Sequence, residues 1–301
     1  MRQHYVPQVY LQHFTDPSGP EPGVWVVDGA TGSAKPLRTD AIAAIGNYYT
    51  VNLEGQKDDC IEEEFAGLEA AIAPLLKSMN EGNLRISDDE RALISEFMAA
   101  QVIRVPTFRN AVERSLHEVT TKLSLMVTRD RSTYGRVLLA ALPDRDFTKQ
   151  EIDRIWSFAR EPAHYTIRVN PEISIGQGLK LAEALAPIFA GMQWSFLRTA
   201  GTLAIVTSDN PVSWGNPEFT GSAYGHGLTA LGTEVVWPVG RRLALVATWR
   251  GSEEVVDAAA ELTAKVDRRV ISMAQRYVFC PSEAMAQWVQ EHRSRMLAEK
   301  Q

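Results

Sequence analysis

Cysteine is scarce in this chain: Cys60 and Cys280 are the only two among 301 residues. Their separation gives no paired spacing, which argues against a disulfide framework or a zinc knuckle and fits a reducing compartment. Both read as plain buried thiols. Long hydrophobic runs are missing as well. No stretch approaches the roughly 18 unbroken apolar residues that a membrane span needs, and Arg2, Gln3, His4 and Gln8 interrupt any apolar signal core. The expectation is a cytoplasmic protein with no membrane partner. Positive charge is not in excess either: the formal net charge is -6 and the pI is near 5.6. There is no general charge signature for nucleic-acid binding, which would need a local basic patch. Internal repeats and Gly-x-Gly fingerprints are absent. So are H-E-x-x-H, a Walker loop, G-x-S-x-G and C-x-x-C, which disfavours a zinc peptidase, a P-loop NTPase, a standard serine hydrolase and a thiol redox enzyme. What remains is 45% hydrophobic and 23% charged, the balance of a soluble globular chain able to bury a sizeable core.

The hydrophobic period changes along the chain. Pro7 suits the first position of a helix, predicting a short N-terminal helix with Val6, Tyr10, Leu11 and Phe14 on one buried face. PSGPEPG, residues 17–23, is a turn-rich break, after which GVWVVDGATGSAKPL reads as two strands around Asp-Gly and Thr-Gly. NYYTV, residues 47–51, adds a strand candidate before a polar loop, NLEGQKDD. From Asp59 the period becomes helical, with Ile61, Phe65, Leu68, Ile72, Leu75 and Leu76 at three- and four-residue steps. Ser87 to Glu90 and Thr148 to Glu151 are capping boxes. The first opens an almost wholly apolar helix that Pro106 breaks before a helical pattern resumes over residues 107–127. A further helix is expected over 173–192. Then WSFLRTA, TLAIVTS, EVVWPV and RLALVATW read as strands, interrupted by a Gly-rich loop over 214–232. A helix over 254–275, a YVFC strand and a helix capped by Ser282 follow. Without regular βαβ alternation the fold class is α+β: a helical core, a small N-terminal β element and a second β cluster in the C-terminal half. A single domain over 1–301 is expected, with subregions 1–55, 56–192 and 193–301.

Several polar residues stand where structure alone does not require them. His4 and Gln8 are four apart, so on one helix they would project from neighbouring turns towards one pocket; a backbone-satisfied helix-entry histidine is the plainer alternative. Asp209 and Asn210 follow the apolar run LAIVT, at a strand end where scaffolds present functional groups, although both are also turn residues. Glu62, Glu63 and Glu64 precede Glu69 on one helix, where most such runs are solvated faces. Gln101 and Arg104 lie in the apolar helix; a buried arginine must find an anion, and a glutamate from a neighbouring helix would serve. His117, His164, His226 and His292 are isolated.

Two readings follow. In the first, His4, Asp209 and Glu64 are catalytic and Gln8, Gln101, Arg104 and Asn210 bind substrate in a hydrolase of phosphodiesters, nuclease-like, with a divalent metal as the candidate cofactor; no other cofactor is evident. In the second, the same residues form a structural hydrogen-bond network in a non-catalytic ligand-sensing or protein-interaction module.

HYVPQVYLQHF, residues 4–14, resembles the opening signature of a bacterial family known only as domain of unknown function 4238. VWVVD, IEEEFAGLE, the QVIRVP segment, and TSDNPV followed by a Trp-Pro strand are also similar to it. The resemblance spans nearly the whole chain. It implies a shared fold and no particular chemistry. VDRRV, residues 266–270, departs from it where an asparagine is expected.

Overall fold

The computed structural model describes residues 2–16, 23–53, 56–161, 163, 165, 170–216 and 227–298. Most of the PSGPEPG break, the middle of the 214–232 loop with His226, and His164 lie outside these residues. The chain forms two compact units, Met1–Phe108 with Gln177–Gln301, and Arg109–Gly176. The division cuts through subregion 56–192. Among the described residues no helix is long and apolar enough to cross a membrane.

The smaller unit is helical. It holds most of α4 (Pro106–Val127), then α5 (Arg131–Ala141) and α6 (Lys149–Ala159). Thr148 caps α6 with the reciprocal bonds of a capping box, and Trp156 on that helix donates its indole N–H to the Thr128 carbonyl at 2.9 Å. Helix α5 has no counterpart in the sequence reading. Asp130 caps it through the Thr133 N–H, but its arginines and Gly135 blur the apolar period.

In the larger unit, α2 (Cys60–Asn80) and α3 (Asp88–Arg104) pack together at the core. Phe65, Ile72, Leu75 and Leu76 are buried as the period requires, with Ile61 and Leu68 half-buried beside them. Helix α3 is buried on most sides, from Ile94 to Arg104 with one exposed position at Glu96. Its Ser87–Glu90 capping box is formed in both directions. Helix α7 (Pro171–Gly191) contributes Leu185 and Phe189 to the same core.

Two larger sheets contribute residues to the same core. The first has five strands in the order β12 (Glu254–Ala258), β7 (Gln193–Thr199), β11 (Leu243–Thr248), β10 (Glu234–Gly240) and β9 (Ser213–Gly215). The second has four: β3 (Ala34–Arg38), β2 (Gly23–Asp28), β13 (Tyr277–Cys280) and β8 (Thr207–Ser208). The β2–β3 hairpin turns where Asp-Gly and Thr-Gly predict it, with Gly32 at a φ of 72°. Alternation along β2 and β13 sends Val26 and Phe279 to the main core, and Val27, Val278 and Cys280 to the opposite face beneath α8 (Ala260–Met273) and α9 (Glu283–Ala298).

Four sequence expectations change. The helix over 254–275 is strand β12 followed by α8: Glu254 to Ala258 pair in parallel with Ser195 to Thr199, and the run EVVDA is β-branched enough to take that edge. Residues 47–50 of NYYTV are a turn between β4 (Ala44–Gly46) and β5 (Val51–Leu53), with Asn47 at a φ of 52°, and only its Val51 is in a strand. The polar loop behind it carries strand pairing, β5 with β6 (Gln56–Asp58). TLAIVTS reaches strand geometry only at Thr207–Ser208, because the N–H of Val206 bonds the Asp267 carboxylate at 3.0 Å instead of a neighbouring strand.

Asp267 on α8 is buried, and burial pushes its carboxyl up to about 7. Below the ordinary carboxylate range the group is neutral in both folded and unfolded chains, and its contribution is fully present. As pH rises from about 4 to about 7 the unfolded chain ionises first, so that contribution is lost. Stability measured by urea unfolding is expected to fall over this window. In Asp267→Asn, which keeps an acceptor for Val206, the fall is reduced.

Candidate functional site

The N-terminal segment is docked, but not as one helix. Residues Arg2–His4 form strand β1, antiparallel to β4. Pro7, with ψ at 137°, precedes the four-residue helix α1 (Gln8–Leu11), which tightens into a 3-10 turn over Gln12–Phe14. Val6, Tyr10, Leu11 and Phe14 are all buried, as the apolar pattern predicts, and so is Tyr5. The Tyr10 hydroxyl lies 2.7 Å from Thr207 Oγ1 and donates to the Pro238 carbonyl at 2.7 Å, so it ties the segment to both sheets. Its ring stacks on Trp237 at 6.1 Å.

His4 therefore sits on a strand and Gln8 on a helix, and the two do not share one helical face. The His4 side chain lies near Glu69 and Arg104 and bonds the Asp40 backbone, whereas Tyr5, just past the strand, lines a cleft that does not include His4.

On the His4 side, Arg104 is 1% exposed and donates to Glu69 Oε1 at 2.7 Å and to the His4 carbonyl at 2.5 Å. Its guanidinium lies over the Phe65 ring at 4.5 Å. The partner glutamate expected for this arginine is thus Glu69. Gln3, fully buried, accepts from the Tyr49 N–H at 2.6 Å and donates towards Asp59 and Thr50. Burial lowers the His4 pKa, and its Nε2 has no hydrogen-bond partner. Burial raises the carboxyl of the neighbouring Glu62, while the charge of Arg104 opposes this.

On the Tyr5 side lies a cleft of about 770 Å³. Its floor is the face of the four-stranded sheet that carries Val26, Asp28, Lys35, Leu37, Tyr277 and Phe279, and Arg2, Tyr5 and residues 41–45 form the opposite wall. Asp209 lies at its end. This carboxylate accepts the backbone N–H groups of Gln275 (2.8 Å), Arg276 (2.7 Å) and Tyr277 (2.9 Å). Burial raises its pKa against those three donors, and Tyr5 is raised above the ordinary tyrosine value by burial first and then by the Asp209 charge. Asp209 thus fixes the backbone that enters β13. Replacing it by asparagine retains one acceptor oxygen and is expected to cost about 1–3 kcal/mol in thermal or urea unfolding.

The other predicted residues are dispersed. Gln101 accepts the Trp237 indole N–H at 2.7 Å within the core. Asn210 donates to the Met273 carbonyl at 3.2 Å. Glu64 is exposed on α2 and lies in a separate groove beside α3 and α7. Gln8 is half-buried. The structure brings together His4, Arg104, Glu62 and Glu69; it places Asp209 instead with Tyr5, Arg276 and Tyr277. Among the described residues no three His, Cys, Asp or Glu side chains come close enough to hold a metal ion. Cys60 is exposed at the start of α2 rather than buried, and Cys280 is buried as expected.

Sequence reasoning missed Gln3, Tyr5, Tyr49 and Arg276. The alternation of Gln3 and Tyr5 about His4 was a signal for a strand, hidden by the proline that follows.

A family model described as Protein of unknown function (DUF4238) matches residues 2–284. No curated protein and no solved structure matches the chain.

Proposed function

We propose, for a chain that belongs to the DUF4238 family, a non-catalytic role in which the cleft between the opening motif and the four-stranded sheet receives a small molecule. One observation carries this reading: Tyr5 from HYVPQ and Asp209 from SDNP, the two most distinctive stretches of the sequence, line the same cleft. Their surroundings favour binding over hydrolysis. Both oxygens of Asp209 are engaged by backbone N–H groups, Arg104 is engaged by Glu69 and a carbonyl, and His4 belongs to the other cluster. A carboxylate committed to three donors is a poor general base, and His4 does not line this cleft. The polar residues serve as the frame of the cleft, with its volume within the range of small-molecule sites.

The test is a thermal-shift screen of metabolite-sized compounds against the wild type and Ala44→Trp, which places an indole in the cleft wall. A ligand at 100 times its Kd stabilises by about 2.7 kcal/mol, and compounds that raise the wild-type Tm are expected to leave the variant unmoved. Turnover of a chromogenic phosphodiester by the wild type, lost in a folded Asp209→Asn variant, would establish hydrolysis instead.

A further inference from the structure

The charge inventory of this cleft is uneven. Its acidic groups are already committed. Asp28 receives Arg276 through Nε (3.1 and 3.2 Å) and Nη2 (2.8 Å), and also accepts the Ala30 N–H at 2.9 Å. Asp209 holds three backbone N–H groups. The donors are not committed to the same degree. The Lys35 side chain, on β3, has no ion pair or hydrogen bond among the described residues; Arg2 spends one guanidinium nitrogen on the Ala41 carbonyl at 2.9 Å. The Tyr5 and Tyr277 rings also line the space, each with a phenolic O–H. On the sheet floor Leu37 and the Tyr277 ring give an accessible apolar wall, backed by the buried Val26 and Phe279. A site whose acceptors are satisfied and whose remaining polar groups are cations and hydroxyls selects an anion, and the apolar wall selects a carbon body behind the charge.

We infer that the cleft binds a small organic carboxylate, its charge between Arg2 and Lys35 and its apolar body against Leu37 and the Tyr277 ring. This rests on the ligand-binding reading above and names the class of ligand. Arg276 contributes through its hold on Asp28, whose charge on the sheet floor it neutralises.

Isothermal titration of the full chain with four probes tests it: benzoate, its neutral isostere benzamide, its cationic isostere benzamidine, and inorganic phosphate as a bare oxyanion. Benzoate is expected to bind at least about fivefold more tightly than the other three, a margin typical of a partly exposed charge pair. Raising salt is expected to narrow it. Lys35→Glu, at an exposed position without a partner, is expected to abolish the preference while far-UV dichroism and Tm stay at wild-type values. Ala44→Trp is expected to abolish binding of benzoate altogether. Tighter binding of benzamide or benzamidine than of benzoate, blocked by Ala44→Trp, overturns the charge assignment and leaves the ligand-binding reading standing. Phosphate binding as tightly as benzoate overturns the apolar-body assignment in the same way. Absence of binding by all four probes, or binding that Ala44→Trp leaves unchanged, overturns the carboxylate inference; the screen with that variant then decides the ligand-binding reading by itself.

Discussion

Replacing Arg104 by alanine is expected to destabilise the protein by about 3–5 kcal/mol, the usual cost of breaking a buried ion pair by removing one partner. The guanidinium is 1% exposed and holds two parts of the chain that are far apart in sequence, Glu69 on α2 and the carbonyl of His4 on β1. Its loss strands a partly buried carboxylate and a backbone oxygen, and it removes the cation from the face of Phe65. Arg104→Lys retains the charge but cannot reach both acceptors in a fork, so it is expected to recover only part of the loss. A double-mutant cycle with Glu69→Gln separates the ion pair from the rest. The coupling is expected to be favourable, and the residual cost measures what the contact with the His4 carbonyl and the packing contribute. Urea unfolding followed by tryptophan fluorescence reads it directly.

Tyr10→Ala is expected to have an effect of similar size, about 3–5 kcal/mol, because it deletes a fully buried aromatic ring from the centre of the core. The ring stacks against Trp237 and packs beside Phe14 and Phe97. Tyr10→Phe isolates the hydroxyl. That change leaves the Pro238 carbonyl and Thr207 Oγ1 without this partner in a buried setting and is expected to cost about 1–3 kcal/mol. Thr207→Val in the same background should then cost little more, since the hydroxyl it removes has already lost its bond. Equal stability of Tyr10→Phe and wild type would mean that the segment is held by packing alone.

Much of this architecture was legible in the sequence because it rests on local signals. The capping boxes at Ser87 and Thr148, the apolar period from Ile61 to Leu76 and the turn residues of the β2–β3 hairpin each carry their own instruction. The run of α3, apolar on most sides, identified its central place before any partner was known. The misreadings have the opposite origin. EVVDA looks helical in continuity with α8, and becomes a strand only because β7 offers it a parallel edge. The run LAIVT has strand composition, yet its Val206 N–H goes to Asp267 on α8, a contact between residues 61 apart that no window could contain.

The site was half legible for the same reason. HYVPQ and SDNP stood out, and the chain does bring them to one cleft, but the side chain delivered there is Tyr5 and not His4. That difference of one residue is the difference between a helix and a strand at the N-terminus, which the spacing alone left open. Arg104 was legible as a buried cation in need of an anion. Glu69 rather than a substrate answers it.

Hydrogen exchange at the backbone amide of Tyr5 tests the docking of the opening segment most directly. This N–H donates to the Ala43 carbonyl at 2.8 Å, across the wall of the cleft, and the residue lies only five positions from the chain start. If the segment is built into the body of the protein, the amide should exchange as slowly as those of β13 and slow further when benzoate is added. Exchange at the rate of an unstructured peptide would contradict both the docking and the cleft it closes.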